Sequence, residues 1–308
     1  MSRLRNVVPA AVLSLAVLGT GAAVLRPGPA GTTATAAPVP DRPGPARRSA
    51  APAPRPPTEA ELDLLHDARE LLLRDCMRAE GFVYRPVPRR PLADARDFPL
   101  VVTDVAWARR HGYGGDLRRA AERLARDDPN QRYFRGLDPA RRARALVAAN
   151  GARPDGPTVR TPDGARLGRS ADGCQSDADR RLYGDLARWF RARSTLTSLT
   201  ALTDDRVAAD PDYARALQPW SACMRDRGHA FAGPAAVRDT FPLPRGAELP
   251  LAVDEAVCAR SSGLAGTVER LHRTHELRLH RQYRADVADA YRLQSAALPR
   301  ARAVVAAG

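Results

Sequence analysis

The 308-residue chain contains no lysine and no isoleucine. Without lysine there is no Schiff-base nucleophile and no phosphate-loop lysine. Neither G-x-S-x-G nor S-x-x-K occurs, so two common ways of activating a serine are missing. C-x-x-C is also absent, which argues against a redox dithiol and against a four-cysteine zinc site built from paired short spacings. Aromatic residues make up only 5% of the chain, too few to interleave with the basic residues as a base-stacking surface requires. No segment alternates at period two for more than a few residues, so extended β-sheet is not expected.

The basic residues are all arginine, 49 of them, and the formal charge is +14 with a pI near 10.8. Without Arg3, Arg5 and Arg26 of the N-terminal segment, which carries no acid, +14 falls to +11. Such a charge attracts anionic partners such as teichoic acids, anionic lipid or nucleic acid. Abundant Ala, Arg, Pro and Gly, with Lys and Ile missing, also matches G/C-rich codon usage, so part of the basicity reflects base composition.

Residues 1–36 read as a secretory leader. Arg3 and Arg5 form its positive start, Val7 to Leu25 is an uncharged apolar run, and Ala34-Thr35-Ala36 supplies small residues for cleavage. The run spans 19 residues, so an uncleaved membrane anchor is the alternative. No cysteine lies near the leader, which excludes a lipobox anchor. Residues 37–57 form a Pro/Ala/Arg-rich spacer, with eight prolines between Pro38 and Pro57. Such a segment favours extended conformations and reaches about 60 Å at most.

One stretch occurs twice. Asp75-Cys76-Met77-Arg78-Ala79-Glu80-Gly81-Phe82 returns 147 residues later as Ala222-Cys223-Met224-Arg225-Asp226-Arg227-Gly228-His229. Apart from the initiator, the only methionines are those two. Each copy reads as a helix end: an apolar run, a Cys on the buried face, a core Met, a basic last turn and Gly at the C′ position. Each is followed by one later cysteine, Cys174 or Cys258. Four cysteines in an exported chain allow three disulfide connectivities. If the two units fold alike, the pairs are Cys76–Cys174 and Cys223–Cys258.

Helix signals follow along the chain. Thr58 with Glu61 makes a capping box before Leu62, Leu65, Leu72 and Cys76. Thr103-Asp104 caps a helix through Val105, Trp107 and Ala108 that stops at Gly112-Tyr113-Gly114-Gly115, a turn without the spacing of a phosphate loop. Asp116 to Arg126 is basic and amphipathic, and Asp138-Pro139 and Asp210-Pro211 each start a helix. Residues 152–170 read as loop. Cys174 opens a long helix through Leu186 and Trp189, with the threonines at 195, 197, 200 and 203 as its far end. A loop is expected up to Pro250, then a helix from about Asp254 to Leu298, with a break at Gly263 to Gly266. The expected fold is mainly α: a disulfide-stapled helical bundle of two related units, 58–203 and 204–308. The first carries a helical and loop insertion at 86–170, and the second ends in a long helix.

These features resemble a family. Paired CM-x-x-x-G motifs with downstream cysteines occur in uncharacterised secreted proteins of Streptomyces and related actinobacteria. So do segments similar to Asp128-Pro129-Asn130 through Gly136-Leu137, the Gly112-Tyr113-Gly114 turn and Trp220-Ser221-Ala222-Cys223-Met224. The resemblance covers most of the chain after residue 58 and implies fold and export; it carries no catalytic residues. His229 departs from it, standing where an aromatic residue is expected.

On the last helix His272, Glu276 and His280 share one stripe at i, i+4 and i+8 and are the candidates for a metal site. Arg273, Arg278 and Arg281 beside them disfavour a bound cation, and H-E-x-x-H is absent. No cofactor is expected. Arg118 to Arg126 and Arg141 to Arg144 are the segments suited to contacting phosphate. The leading expectation is a non-enzymatic envelope protein that binds an anionic wall polymer, a membrane surface or another envelope protein. A cell-wall hydrolase with its site between the units is the alternative. A nucleic-acid-binding protein is a third reading, which export argues against.

Overall fold

The computed structural model describes residues 54–308 apart from Pro91; the leader and most of the spacer lie outside the described residues. Twelve helices and one hairpin make up the described chain. In order they are α1 (Glu59–Ala79), α2 (Val105–His111), α3 (Gly115–Arg126), α4 (Pro129–Gly136), α5 (Pro139–Asn150), β1 (Thr158–Arg160) and β2 (Arg166–Gly168). There follow α6 (Cys174–Tyr183), α7 (Leu186–Ala208), α8 (Pro211–Asp226), α9 (Pro234–Arg238), α10 (Arg245–Ser261), α11 (Leu264–Gln282) and α12 (Arg284–Ala307). The fold is mainly helical and stapled by two disulfides.

Local chemistry explains most helix ends. The Thr58 hydroxyl accepts the Glu61 N–H at 3.2 Å, and the Glu61 carboxylate accepts the Thr58 N–H at 2.8 Å, a complete capping box. Asp104, Asp138 and Asp210 cap α2, α5 and α8 with their carboxylates. The duplicated stretch ends α1 and α8 in the same Schellman turn. Phe82 N–H reaches the Met77 carbonyl and Gly81 N–H that of Arg78; His229 N–H reaches Met224 and Gly228 N–H reaches Arg225. Gly81 and Gly228 have φ of 81° and 86°, the left-handed region in which a Cβ is strained.

Two bundles share α7. In the first, α1, α6, α7 and α12 enclose Leu65, Leu72, Leu182, Trp189 and Leu298. In the second, α2, α8, α10 and α11 enclose Trp107, Trp220, Met224, Val237 and Leu264, with α11 also packed on α7. Cys76 is bonded to Cys174 and Cys223 to Cys258, the pairs the duplication selects, with Cα–Cα distances of 5.5 and 5.6 Å. Disulfides persist in oxidising compartments, and these fit such a location. No described helix is long and apolar enough to cross a membrane.

The structure departs from the sequence reading in several places. The segment 152–170 is not all loop: β1 and β2 pair antiparallel, Val159 opposite Leu167, around Thr161-Pro162-Asp163-Gly164. A Pro-Asp-Gly turn is the local signal for that hairpin. Asp128-Pro129 starts α4 as Asp138-Pro139 starts α5. The helix opened by Cys174 breaks at Gly184, where φ is 81°, and Asp185 caps a new one. Thr195 and Thr203 are buried, and the Thr203 hydroxyl donates to the Leu199 carbonyl at 2.8 Å; α7 therefore runs on to Ala208. The boundary at 203/204 consequently falls inside a helix. Pro250 lies within α10, which starts nine residues before Asp254, because burial of Glu248, Leu251 and Ala252 outweighs the missing N–H. The final helix breaks again at Tyr283, without Gly or Pro, where Leu279 and Val287 both turn in to Leu199.

Candidate functional site

The candidate metal ligands do not converge. On α11, the His272 ring lies 3.6 Å from Asp204 and 4.0 Å from Glu276, while His280 is a further turn along. Among the described residues no group of three or more His, Cys, Asp or Glu side chains is placed to hold a metal ion. The cysteines are clasps: each disulfide ties the end of a CM-x-x-x-G helix to a second helix. His229, at the odd position of the second copy, meets Asp254 at 3.0 Å, beside Arg227 at 2.6 Å from the same carboxylate. A polar anchor there replaces the apolar contact that Phe82 makes in the first copy.

The Gly112-Tyr113-Gly114-Gly115 turn does present backbone N–H groups to an anion, and the anion is the protein's own. Glu248 of α10, 3% exposed, accepts from Tyr113 N–H at 2.9 Å and Gly115 N–H at 3.0 Å. A Cβ at Gly112 or Gly115 would lie 2.8 or 2.7 Å from that side chain. Two turns on, the fully buried Glu255 accepts from Val102 N–H at 2.9 Å and the Tyr113 hydroxyl at 2.7 Å, with Arg238 at 3.3 Å. Burial, and then the Glu255 charge, push the Tyr113 hydroxyl far above its ordinary pKa. These two carboxylates were not legible as a site. They hold the glycine turn shut, and their role is structural.

A surface of arginines follows the turn. Arg118, Arg119, Arg123 and Arg126 lie on α3, Arg132 and Arg135 on α4, and Arg141, Arg142 and Arg144 on α5. None of them forms an ion pair with a described carboxylate, whereas Arg89, Arg90, Arg188 and Arg292 elsewhere all do. The acids in the stretch are partly engaged otherwise: Asp128 and Asp138 cap helices, and Asp116 meets His111 at 2.9 Å. Successive helices are joined by arginines. Arg135 donates to the Arg126 carbonyl at 2.9 Å, and Arg142 to the Arg135 carbonyl at 2.9 Å while lying 5.7 Å from the Phe134 ring centre. The guanidinium groups at helix ends, those of Arg123, Arg126 and Arg135 and that of Arg142 at the end of α4, are stabilised by the helix dipole. Leu124 and Val147 stand exposed among them.

The second feature is a groove of about 790 Å³ between the segment 97–104 and α11. Phe98, Leu100, Val101 and Val268 form its apolar part, and Asp97, Asp104, Arg260, Glu269, His272, Arg273 and Glu276 its polar part. Asp104 is paired with Arg96 at 2.7 Å and Glu269 with Arg273 at 2.9 Å. Loss of hydration raises the Asp97 carboxyl, although the residue as a whole is exposed. Thus two of the three metal candidates, His272 and Glu276, share a site whose other wall lies some 170 positions earlier in the chain.

Comparison with protein-family models, with curated proteins and with solved structures gave no match to this chain.

Proposed function

We propose that the protein is an exported envelope component that acts by binding rather than catalysis, and that it holds a phosphate-rich anionic wall polymer on the arginine surface of α3, α4 and α5. The observation that carries this reading is the run of arginines without carboxylate partners among the described residues, on three helices tied together by Arg135 and Arg142. Guanidinium forks match phosphate oxygens two at a time, and unpaired ones lose no ion pair when they bind. The leader, the spacer and the resemblance to secreted actinobacterial proteins belong to the same proposal. The two disulfides support it.

The full-length protein is expected to sediment with isolated cell walls at low ionic strength. Release is expected at about 1 M salt, where the screening length falls to about 3 Å. Arg119, Arg123, Arg141 and Arg144 are exposed and make no side-chain bond within the described residues, so changing all four to Gln should leave the melting temperature nearly unchanged. The affinity for walls should fall by at least about tenfold. Undiminished binding by this variant, or by the wild type on walls stripped of phosphate polymer, overturns the reading. Retention on anionic vesicles or DNA alone transfers it to lipid or nucleic acid.

A further inference from the structure

We infer that the groove along α11 is a second binding site, which takes an extended peptide carrying a basic side chain. The groove follows α11 from Gly266 to Glu276, about 15 Å of helix, the length of four to five residues of extended chain. Its volume of about 790 Å³ lies in the usual range of ligand sites.

Its charges select the ligand. Asp104 is paired with Arg96 and Glu269 with Arg273, whereas Asp97 and Glu276 form no ion pair with a guanidinium among the described residues; the Arg238 charge acts on Asp97, and the His272 ring lies 4.0 Å from Glu276. Arg260 likewise forms no ion pair with a described carboxylate. The site therefore offers two carboxylates, an imidazole beside one of them and the Arg260 guanidinium, around an apolar wall of Phe98, Leu100 and Val268. A peptide with an ammonium or guanidinium group, an apolar neighbour and a carboxylate or carbonyl for Arg260 complements it; a polyanion does not. The groove and the arginine surface thus carry opposite preferences.

Gly266 makes the proposal testable. It is helical, without positive φ, and a Cβ there meets nothing within 4 Å. Gly266→Leu fills the groove without strain and replaces a poor helix former with a good one, so the melting temperature should hold or rise. The probes are a dansylated pentapeptide of alternating leucine and lysine and its leucine–glutamate counterpart, titrated against the full-length protein. The lysine peptide is expected to bind at least about tenfold tighter. Gly266→Leu should abolish that binding, and Asp97→Asn with Glu276→Gln should weaken it by about fivefold or more, while sedimentation with walls stays unchanged. Equal binding of the two peptides, binding untouched by Gly266→Leu, or cleavage of the lysine peptide during titration overturns the inference, the last in favour of a hydrolytic groove.

Discussion

Asp179→Ala is expected to cost about 3–5 kcal/mol, the usual penalty for leaving buried partner charges uncompensated. Asp179, on α6, is fully buried and takes Arg69 Nε at 2.8 Å from α1 and Arg169 Nη1 at 2.6 Å from the end of the hairpin. One carboxylate therefore joins three elements, and both guanidinium side chains are themselves more than four-fifths buried. Burial alone would raise the Asp179 pKa, but the Arg69, Arg169 and Arg193 charges outweigh it and hold the carboxyl below its ordinary value. A depressed folded pKa means that the stabilisation is fully present above the unfolded value of about 3.9 and is lost as pH falls through the folded one. Urea midpoints at neutral pH and below pH 4 measure this directly. The wild type should lose more stability on acidification than Asp179→Asn, which keeps the shape and removes the titration. Equal losses would show that the buried Asp179 ion cluster contributes nothing to acid sensitivity.

Removing the Cys76–Cys174 disulfide by a double alanine substitution should destabilise the protein by up to about 4.7 kcal/mol. The Cys223–Cys258 pair should cost less, up to about 3.8 kcal/mol, because the loops closed are 98 and 35 residues apart in sequence. Packing sets where each loss is felt. Cys174 sits in a small cluster with Leu73, Met77, Phe82 and Ala145, against which Tyr133, Phe134 and Leu137 of the α4–α5 region lean. Cys258 belongs to the largest core, beside Trp220 and Leu264. Loss of the first bond should therefore release α4 and α5, visible as faster hydrogen exchange there in native buffer, and with them the arginine surface. Guanidinium unfolding of the two double variants ranks the effects; a larger loss for the Cys223–Cys258 pair would refute the loop-length account.

Much of the fold could be read locally. Thr58 with Glu61, Asp104, Asp138-Pro139 and Asp210-Pro211 each place a helix start where the structure has it, because a cap is a contact over two or three residues. Gly81 and Gly228 do the same for helix ends. Elsewhere the structure follows a second local signal or a partner distant in the chain. Asp128-Pro129 and the Thr161-Pro162-Asp163-Gly164 turn were legible by the same rules. Pro250 inside α10 was not, since only the Gly112–Gly115 turn, which Glu248 enters, and Tyr113, which Glu255 holds, explain why the helix reaches back to Arg245. The arginines of the proposed polymer surface were visible as segments, but their lack of carboxylate partners among the described residues was not. Asp97 and Glu276, which face one groove, are separated by too much chain for any pattern to connect them.

By itself, the sequence determined the helical class, most caps, the two Schellman ends and the choice of cysteine pairs, all of which follow from backbone rules acting over a few residues and from the duplication. The tertiary structure alone decided which carboxylates are buried, where α6 gives way to α7 and α11 to α12, which arginines stay unpaired, and that the segment 97–104 forms a wall opposite α11. Those outcomes depend on burial and charge pairing between residues far apart in the chain, where the energy of a contact is set by neighbours that no local window contains.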